Sequence, residues 1–266
     1  MSYRGESELK IIVLGAGTII PTRERFGSSI LLETSLGGIL LDIGPGTIEK
    51  LKRIRYDLET INRILITHFH IDHVSDLLPF LKMRGLSRKS YGRFKEPLDI
   101  YGPRGLNDFI EDLLVKNRFL SYLMNLDVLR DVRLHECWDG VVAADERLEL
   151  RSVPVEHFNG VAYRIKVDGI DLVYSGDTVP EERLIRLAEN VDVLIHECSY
   201  PSGQKLGKHT SDEELIEIVS RIRPRITIAI HLYPEMEGRV QSLRESLRKA
   251  SGGLAYVPSD LDVIEV

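Results

Sequence analysis

The chain has 266 residues, of which 43% are hydrophobic and 29% charged, the composition of an ordinary folded protein. Its formal net charge of −6 argues against a protein that coats nucleic acid or anionic membranes through bulk electrostatics. Its apolar runs are strand-length, far short of the roughly 20 residues of a membrane helix, and its N-terminus lacks the apolar core of a signal peptide. We therefore expect a single domain over residues 1–266, in the cytoplasm and without a membrane partner.

The first third of the chain predicts a hairpin followed by alternating helices and strands. Apolar β-branched runs predict strands at residues 10–14 and 29–33, and Gly37-Gly38 predicts the turn into a third strand at 39–42. Helical spacing of apolar residues then predicts a helix over 47–55. The remaining predicted helices are 74–83, 105–123, 181–189 and 212–221, and the remaining strands are 64–67, 98–101, 132–135, 148–155, 161–167, 171–175, 193–196 and 226–230. Hairpins mixed with strand–helix units predict an α/β sandwich with mixed sheets inside and helices outside.

Four metal-ligand side chains lie within six residues between a predicted strand and a predicted helix: His68, His70, Asp72 and His73. In a tight loop, residues two apart can point the same way, so His68 and His70 can share one ion while Asp72 and His73 reach another. A polar surface loop is the alternative interpretation. The compact spacing favours a pair of metal ions.

Three further ligand-type residues follow predicted strands directly. They are His157, Asp177 and His231. Open α/β sheets place binding groups at such strand ends, and two ions need more than four protein ligands. We therefore expect these three side chains to complete the metal site.

The segment HFHIDH at 68–73 resembles the HxHxDH signature of the metallo-β-lactamase superfamily, and the later ligand-type residues match that family's motifs in order. The resemblance covers nearly the whole chain and implies a four-layer αβ/βα sandwich with the metal site at one edge of the two sheets. It implies that His68, His70 and His157 hold the first metal, that Asp72, His73 and His231 hold the second, and that Asp177 bridges them. We expect two divalent ions, with zinc favoured, although manganese, cobalt and iron accept the same ligands.

Several segments resemble the ribonuclease Z and phosphodiesterase branch of this superfamily. These are LGAGTIIPTRERFGSSILLE, LDIYGPRGL, Ile195-His196-Glu197-Cys198 and His209-Thr210-Ser211, the last two being similar to the HEAT and HST motifs. The resemblance implies a proton relay through Glu197 and His209. With Asp72, which acts as a ligand rather than an acid, they make up the predicted catalytic residues. For His196 a buried structural role is the alternative, and His135 has no motif around it.

A basic stretch follows the first metal motif. Its six bases are Lys82, Arg84, Arg88, Lys89, Arg93 and Lys95, with no acid among the fourteen residues from 82 to 95. Such a run is usually a solvated loop. Its position in the sequence also allows a role in steering anionic substrates.

The chain departs from the tRNA-processing members of this branch. Those members insert a tRNA-gripping arm between the third-motif histidine and the bridging aspartate, whereas only twenty positions separate His157 from Asp177 and they predict a hairpin. In addition, LDIGPGT stands where this branch typically has CGEGT. His231 is followed by LYPEMEG and not by the branch's serine and arginine motif. These departures leave the predicted metal site intact but argue against a role in tRNA maturation.

The leading hypothesis is a phosphodiesterase that acts on a small-molecule or nucleotide-like phosphoester. Two cations sharing a bound water would generate a bridging hydroxide that attacks phosphorus, and His209 would protonate the leaving alkoxide. The alternatives are a tRNA 3′-processing endonuclease, a thioesterase, lactonase or β-lactamase on the same metals, and a nonenzymatic metal-binding scaffold. RNA is not the favoured partner, and a homodimer is left open.

Overall fold

Two seven-stranded β-sheets form the centre of the computed structural model, which describes residues 9–204 and 207–266. The strands are β1 Lys10–Gly15, β2 Ser29–Thr34, β3 Gly37–Leu41, β4 Ile61–Leu65, β5 Leu98–Pro103, β6 Val132–Cys137, β7 Gly140–Ala144, β8 Leu148–Pro154, β9 Val161–Val167, β10 Ile170–Tyr174, β11 Val193–Glu197, β12 Ile226–Ile230, β13 Leu254–Tyr256 and β14 Val263–Glu265. The first sheet has the order β14-β1-β2-β3-β4-β5-β6, and the second has the order β13-β12-β11-β10-β9-β8-β7.

Each sheet combines a run of antiparallel strand pairs with a run of parallel ones. In the first, β14 to β3 pair antiparallel and β3 to β6 pair parallel. In the second, β13 to β10 pair parallel and β10 to β7 pair antiparallel. The parallel strands of each sheet are joined through helices, as parallel pairing requires.

Helices cover the outer face of each sheet. They are α1 Thr47–Arg53, α2 Ile71–Val74, α3 Leu77–Tyr91 and α4 Leu106–Ile110 on the first sheet, and α5 Glu182–Leu187, α6 Asp212–Ile222 and α7 Val240–Ser251 on the second. No helix within residues 9–204 and 207–266 is long and apolar enough to span a bilayer.

Side-chain alternation along the strands builds three apolar layers. In β1, Ile11 and Val13 point into the core between the sheets, whereas Ile12 and Leu14 point towards the helices of the first sheet. A third apolar cluster lies between the second sheet and its helices. The arrangement is helix, sheet, sheet, helix, and it confirms the predicted four-layer αβ/βα sandwich.

The hairpin turn lies two residues before its predicted position. The β2–β3 turn is at Ser35 and Leu36, and the predicted turn residues Gly37 and Gly38 instead begin β3. The hydroxyl of Thr34 closes this turn, because it accepts a hydrogen bond from the Leu36 amide (3.0 Å) and donates one to the Gly37 carbonyl (2.7 Å). Gly37 is needed because its φ is +104° and a Cβ there would meet the Thr60 carbonyl oxygen at 2.6 Å.

The predicted helix over 105–123 is interrupted. Helix α4 ends at Ile110, a π-helical turn spans Glu111–Val115, and a 3₁₀ segment spans Ser121–Leu126. Asn117 explains the break, because its side-chain oxygen accepts a hydrogen bond from the Phe119 amide at 3.0 Å and so competes with helical pairing. Two other 3₁₀ segments span Leu58–Thr60 and Pro234–Arg239.

The prediction of a loop is wrong for much of the basic stretch, which lies on α3, although Lys82, Lys89, Arg93 and Lys95 are exposed. Arg84 is buried, which lowers its pKa to about 10, and it donates to the carbonyls of Glu96 and Arg130. Arg88 donates to the Phe94 carbonyl (3.1 Å) and to the same Arg130 carbonyl (2.6 Å). These guanidinium groups fasten α3 to the segments that follow it, and this accounts for their charge without a substrate.

Candidate metal centre

The seven predicted ligands lie in the segments that follow four strands. His68 and His70 lie between β4 and α2, Asp72 and His73 lie in α2, and His157, Asp177 and His231 follow β8, β10 and β12. The fold therefore brings together predicted ligands that lie up to 163 positions apart in the chain, from His68 to His231.

Asp177 is the central member of this group. Its Oδ2 atom lies 3.7 Å from Nε2 of His68, 3.7 Å from Nε2 of His157 and 3.3 Å from Nε2 of His231. Its Oδ1 atom lies 3.4 Å from Nε2 of His73. One carboxylate thus faces the histidines of both predicted metal positions.

Among residues 9–204 and 207–266, the potential ligand atoms fall into three overlapping groups, each with its atoms within 4.8 Å of one another. The first contains His68, His70, His157 and Asp177, the second contains Asp72, His73 and His231, and the third contains Asp177, His209 and His231. The first two groups match the two metal positions that the sequence resemblance implies, except that Asp177, the implied bridge, belongs only to the first of them.

Unpaired buried atoms show that these residues suit a cation. Nε2 of His68, His73 and His231 and Oδ1 of Asp177 are buried without a hydrogen-bond partner. Leaving such atoms unpaired is costly, and imidazole nitrogens and carboxylate oxygens are ordinary ligands of divalent metals. The donor set therefore fits divalent metal ions.

The electrostatics differ among the histidines of the cluster. Burial would lower the pKa of His73, but the charges of Asp177 and Asp42 raise it well above its usual value. Burial lowers the pKa of His68 well below its usual value and also lowers that of His70, which favours the neutral, metal-binding imidazole. Burial would raise the pKa of Asp177, but the charges of His231 and His73 hold it well below its usual range. Asp177 is therefore ionised.

Asp42, which follows β3, is a functional residue that the sequence reasoning missed. Its buried carboxylate accepts hydrogen bonds from the Thr67 amide (2.7 Å), the Thr67 hydroxyl (2.9 Å), the Tyr174 hydroxyl (2.6 Å) and Nδ1 of His73 (2.7 Å). Its φ of +54° is uncommon for a residue with a side chain. An aspartate at the end of an apolar strand, within LDIG, was the available signal.

Three other ligand histidines are also oriented through their second ring nitrogen. Nδ1 of His157 donates to the Lys208 carbonyl at 2.8 Å. Nδ1 of His68 lies 3.0 Å from the Thr67 hydroxyl, and Nδ1 of His231 lies 3.0 Å from the Ser199 hydroxyl. Such contacts fix the ring so that Nε2 faces the cluster.

His209 and Glu197 form a hydrogen-bonded pair beside the cluster. Nδ1 of His209 lies 3.1 Å from Oε1 of Glu197 and 3.9 Å from Oδ2 of Asp177. Burial would lower the pKa of His209, but the hydrogen bond to Glu197 and its charge raise it above the usual value. Glu197 is itself held by the Thr178 amide (2.6 Å) and the Ser199 hydroxyl (2.5 Å). The pair therefore places beside the cluster an imidazole whose protonated form is favoured by Glu197.

The two remaining histidines of interest lie outside the three ligand groups. His196 is fully buried, and its Nδ1 donates to the Glu197 carbonyl at 2.8 Å. His135 pairs with Asp99 at 2.7 Å and stacks on Tyr101 with a centroid distance of 4.5 Å. Both positions correspond to structural roles.

A cleft of about 300 Å³ opens onto the cluster. Its lining comprises Ile19, His70, Ile71, Asp72, Asp177, His209, His231 and Tyr233. Tyr233 was not predicted as a site residue. It stacks on Tyr200 with a centroid distance of 4.3 Å, and burial raises its pKa, so it remains a neutral phenol. The volume suits a small substrate.

The four layers and this histidine–aspartate edge define the class of protein, because they are the metallo-β-lactamase fold. Solved structures agree: YhfI from Bacillus subtilis has a TM-score of 0.81 at 20% identity, covering 98% of this chain and 100% of that one. The short form of human tRNase Z, ELAC1, has a TM-score of 0.77 at 20% identity, covering 97% and 99%.

More specifically, the chain belongs to the family whose model is described as "Anti-Pycsar protein Apyc1", which matches residues 9–247. A protein named ribonuclease Z from Pyrococcus horikoshii is 30% identical, over 97% of this chain and 96% of that protein. The predicted kinship with the ribonuclease Z and phosphodiesterase branch is confirmed. The protein is a metal-dependent hydrolase of the metallo-β-lactamase superfamily.

Proposed function

We propose that the protein is a phosphodiesterase that binds two divalent metal ions, with zinc favoured, and cleaves a small or nucleotide-like phosphate diester. The observation that carries this proposal is the central position of Asp177. Its two carboxylate oxygens face the histidines of both ligand groups, and the His209–Glu197 pair lies beside them.

The proposed ligands divide into two sets according to the distances between their ligand atoms. His68, His70 and His157 would hold one ion, Asp72, His73 and His231 would hold the other, and Asp177 would contact both. When bound, such a pair of ions lowers the pKa of a shared water and neutralises charge on phosphate oxygens. Asp72 and Asp177 act in this scheme as ligands and not as acids.

The protein's own proton chemistry is assigned to His209. Its imidazolium would donate a proton to the leaving alkoxide, and Glu197 would keep the ring protonated and oriented. The cleft of about 300 Å³ has room for a small group at the reacting centre.

The hairpin between His157 and Asp177 supports a small substrate over tRNA. Strands β9 and β10 occupy Val161–Val167 and Ile170–Tyr174, where the resemblance places a tRNA-gripping arm in tRNA-processing members. A tRNA 3′-processing endonuclease remains the second candidate, because the Pyrococcus horikoshii relative is named ribonuclease Z.

The test is hydrolysis of bis-p-nitrophenyl phosphate by metal-loaded protein, with His70→Ala as the site variant. His135→Ala is the matched control, because this histidine lies outside the ligand groups and stacks on Tyr101. We expect turnover that is lost in His70→Ala and kept in His135→Ala.

Precursor tRNA and a panel of thioester, lactone and β-lactam substrates are assayed in parallel. Cleavage of precursor tRNA after the discriminator base would favour the endonuclease, and faster turnover of carbonyl substrates would favour the third alternative. Full metal occupancy without turnover of any substrate would favour the hypothesis of a nonenzymatic metal-binding scaffold.

A further inference from the structure

Large apolar side chains stand in solvent at the mouth of the cleft. Ile19 and Ile71 belong to its lining and are 50% and 64% exposed, and the neighbouring Phe158 is 86% exposed. The rest of the lining is polar or charged except for the aromatic ring of Tyr233. Exposed apolar groups gathered at a polar site are typical of a surface that a ligand covers.

The loop that carries Phe158 holds this exposed position. The φ angle of Phe158 is +48°, in the left-handed region, where a bulky residue is a genuine outlier. The loop is closed on both sides, because the Gly160 amide donates to the His157 carbonyl (2.8 Å) and the Val155 amide donates to the Gly160 carbonyl (3.0 Å). A Cβ at Gly160 would meet the His157 carbonyl oxygen at 2.7 Å. Backbone strain of this kind, maintained by the fold, is concentrated at functional sites.

Phe158 is placed directly against the proposed metal ligands. It follows His157 in the chain, and its ring makes a T-shaped contact with the ring of His70 at a centroid distance of 4.6 Å. This contact uses little of the aromatic surface, since the residue stays 86% exposed. A phosphate bound at the cluster therefore has an open aromatic ring beside it.

We propose that Phe158 is a specificity-determining residue whose ring stacks on a planar base of the substrate while the phosphate lies at the metal centre. The inference rests on the proposed phosphodiesterase function. A base can stack on a single exposed ring at an open cleft, whereas an alkyl chain gains most from an enclosed apolar groove. The apolar surface here lies at the mouth, and the floor is made of the histidines and aspartates.

The experiment compares two substrates with the same diester linkage. One is a dinucleoside monophosphate, and the other carries tetrahydrofuran groups in place of both nucleosides. We expect Phe158→Ala to raise KM for the base-bearing diester by roughly 5- to 100-fold, the range for loss of one stacked base, and to leave the abasic diester little changed. Phe158→Trp should retain the preference, whereas Phe158→Leu, which is apolar but not aromatic, should lose it.

Phe119→Ala is the matched control, because Phe119 is also highly exposed (72%) but lies between the π-helical turn and the 3₁₀ segment. Equal losses on both substrates, or a Phe158→Leu variant that behaves as wild type, would overturn the stacking role and indicate plain apolar contact.

If the wild-type protein cleaves neither these diesters nor bis-p-nitrophenyl phosphate, the proposed function fails, and calorimetric binding of a nucleoside monophosphate and of the abasic sugar phosphate tests Phe158 separately. Base-dependent binding that disappears in Phe158→Ala would support stacking. Binding that is the same for both ligands would overturn it.

Discussion

Nδ1 of His73 donates a hydrogen bond of 2.7 Å to the fully buried carboxylate of Asp42. Because a carboxylate oxygen accepts, this contact places a ring proton on Nδ1, and Nε2 is directed at Asp177, 3.4 Å away. The same carboxylate binds the Thr67 amide and hydroxyl, so it links the β3 end to the loop that carries His68 and His70. Asp42 is thus a positioning residue for the centre.

Asp42→Asn is expected to weaken metal binding by about 10- to 100-fold, the usual effect of losing a partner that orients a ligand histidine. Asparagine tolerates the φ of +54°, so the backbone is retained while the charge is removed. Competition with a chromophoric chelator measures the affinity. Tyr174→Phe removes one donor to Asp42 and keeps its carboxylate, so a smaller loss is expected there. Full affinity in Asp42→Asn would contradict the positioning role.

Removal of the metal is expected to destabilise the fold, because the Nε2 atoms of His68, His73 and His231 are then buried without partners. Ligand linkage at roughly 100-fold excess over Kd corresponds to a fall in Tm of about 5 to 10 °C on chelation. Calorimetry with and without a chelator measures it. In Asp177→Asn, which lacks the central carboxylate charge, the chelator should change Tm little. A metal-loaded wild-type protein whose Tm is indifferent to chelation would contradict this expectation.

The pH dependence of kcat should report the protonation of His209, which Glu197 controls. Glu197 raises the pKa of His209, and a proton donor must be protonated, so activity should fall as pH rises through that pKa. Glu197→Gln removes the carboxylate charge, lowers the pKa of His209 and should move the alkaline limb of the kcat profile to lower pH. An unchanged alkaline limb in this variant would rule out His209 as the group that it reports.

The leaving group provides a second test of His209. His209→Ala should lower kcat by roughly 10²- to 10⁴-fold for an alkyl diester, whose alkoxide needs a proton, and much less for a p-nitrophenyl diester, whose phenolate leaves unprotonated. Steady-state kinetics on the two substrates gives the comparison. Equal losses on both would indicate that His209 acts on metal binding instead, a role that its proximity to Asp177 and His231 also allows.

The local pattern HFHIDH was sufficient to predict the centre of the site, because its ligands are adjacent in the chain and the loop geometry follows from the flanking strand and helix. His157, Asp177 and His231 could be selected because each follows an apolar strand. Their roles as ligands and the organisation of residues 1–266 as one domain stay predictions.

Other features depend on contacts that sequence periodicity does not encode. Asp42 and Tyr233 look like ordinary strand-end and loop residues until the fold brings them to His73 and to the cleft. Helix α7 was missed because only Leu243 and Leu247 are buried in a mostly polar segment. Strands β13 and β14 have three residues each, too few for an alternating pattern.

The most direct test of the central claim is a titration of metal-stripped protein with zinc, in which bound metal and hydrolysis of bis-p-nitrophenyl phosphate are measured on the same samples. The account predicts no turnover without metal and activity that rises as occupancy approaches two ions per chain. Full occupancy without turnover, or turnover by the stripped protein, would contradict it.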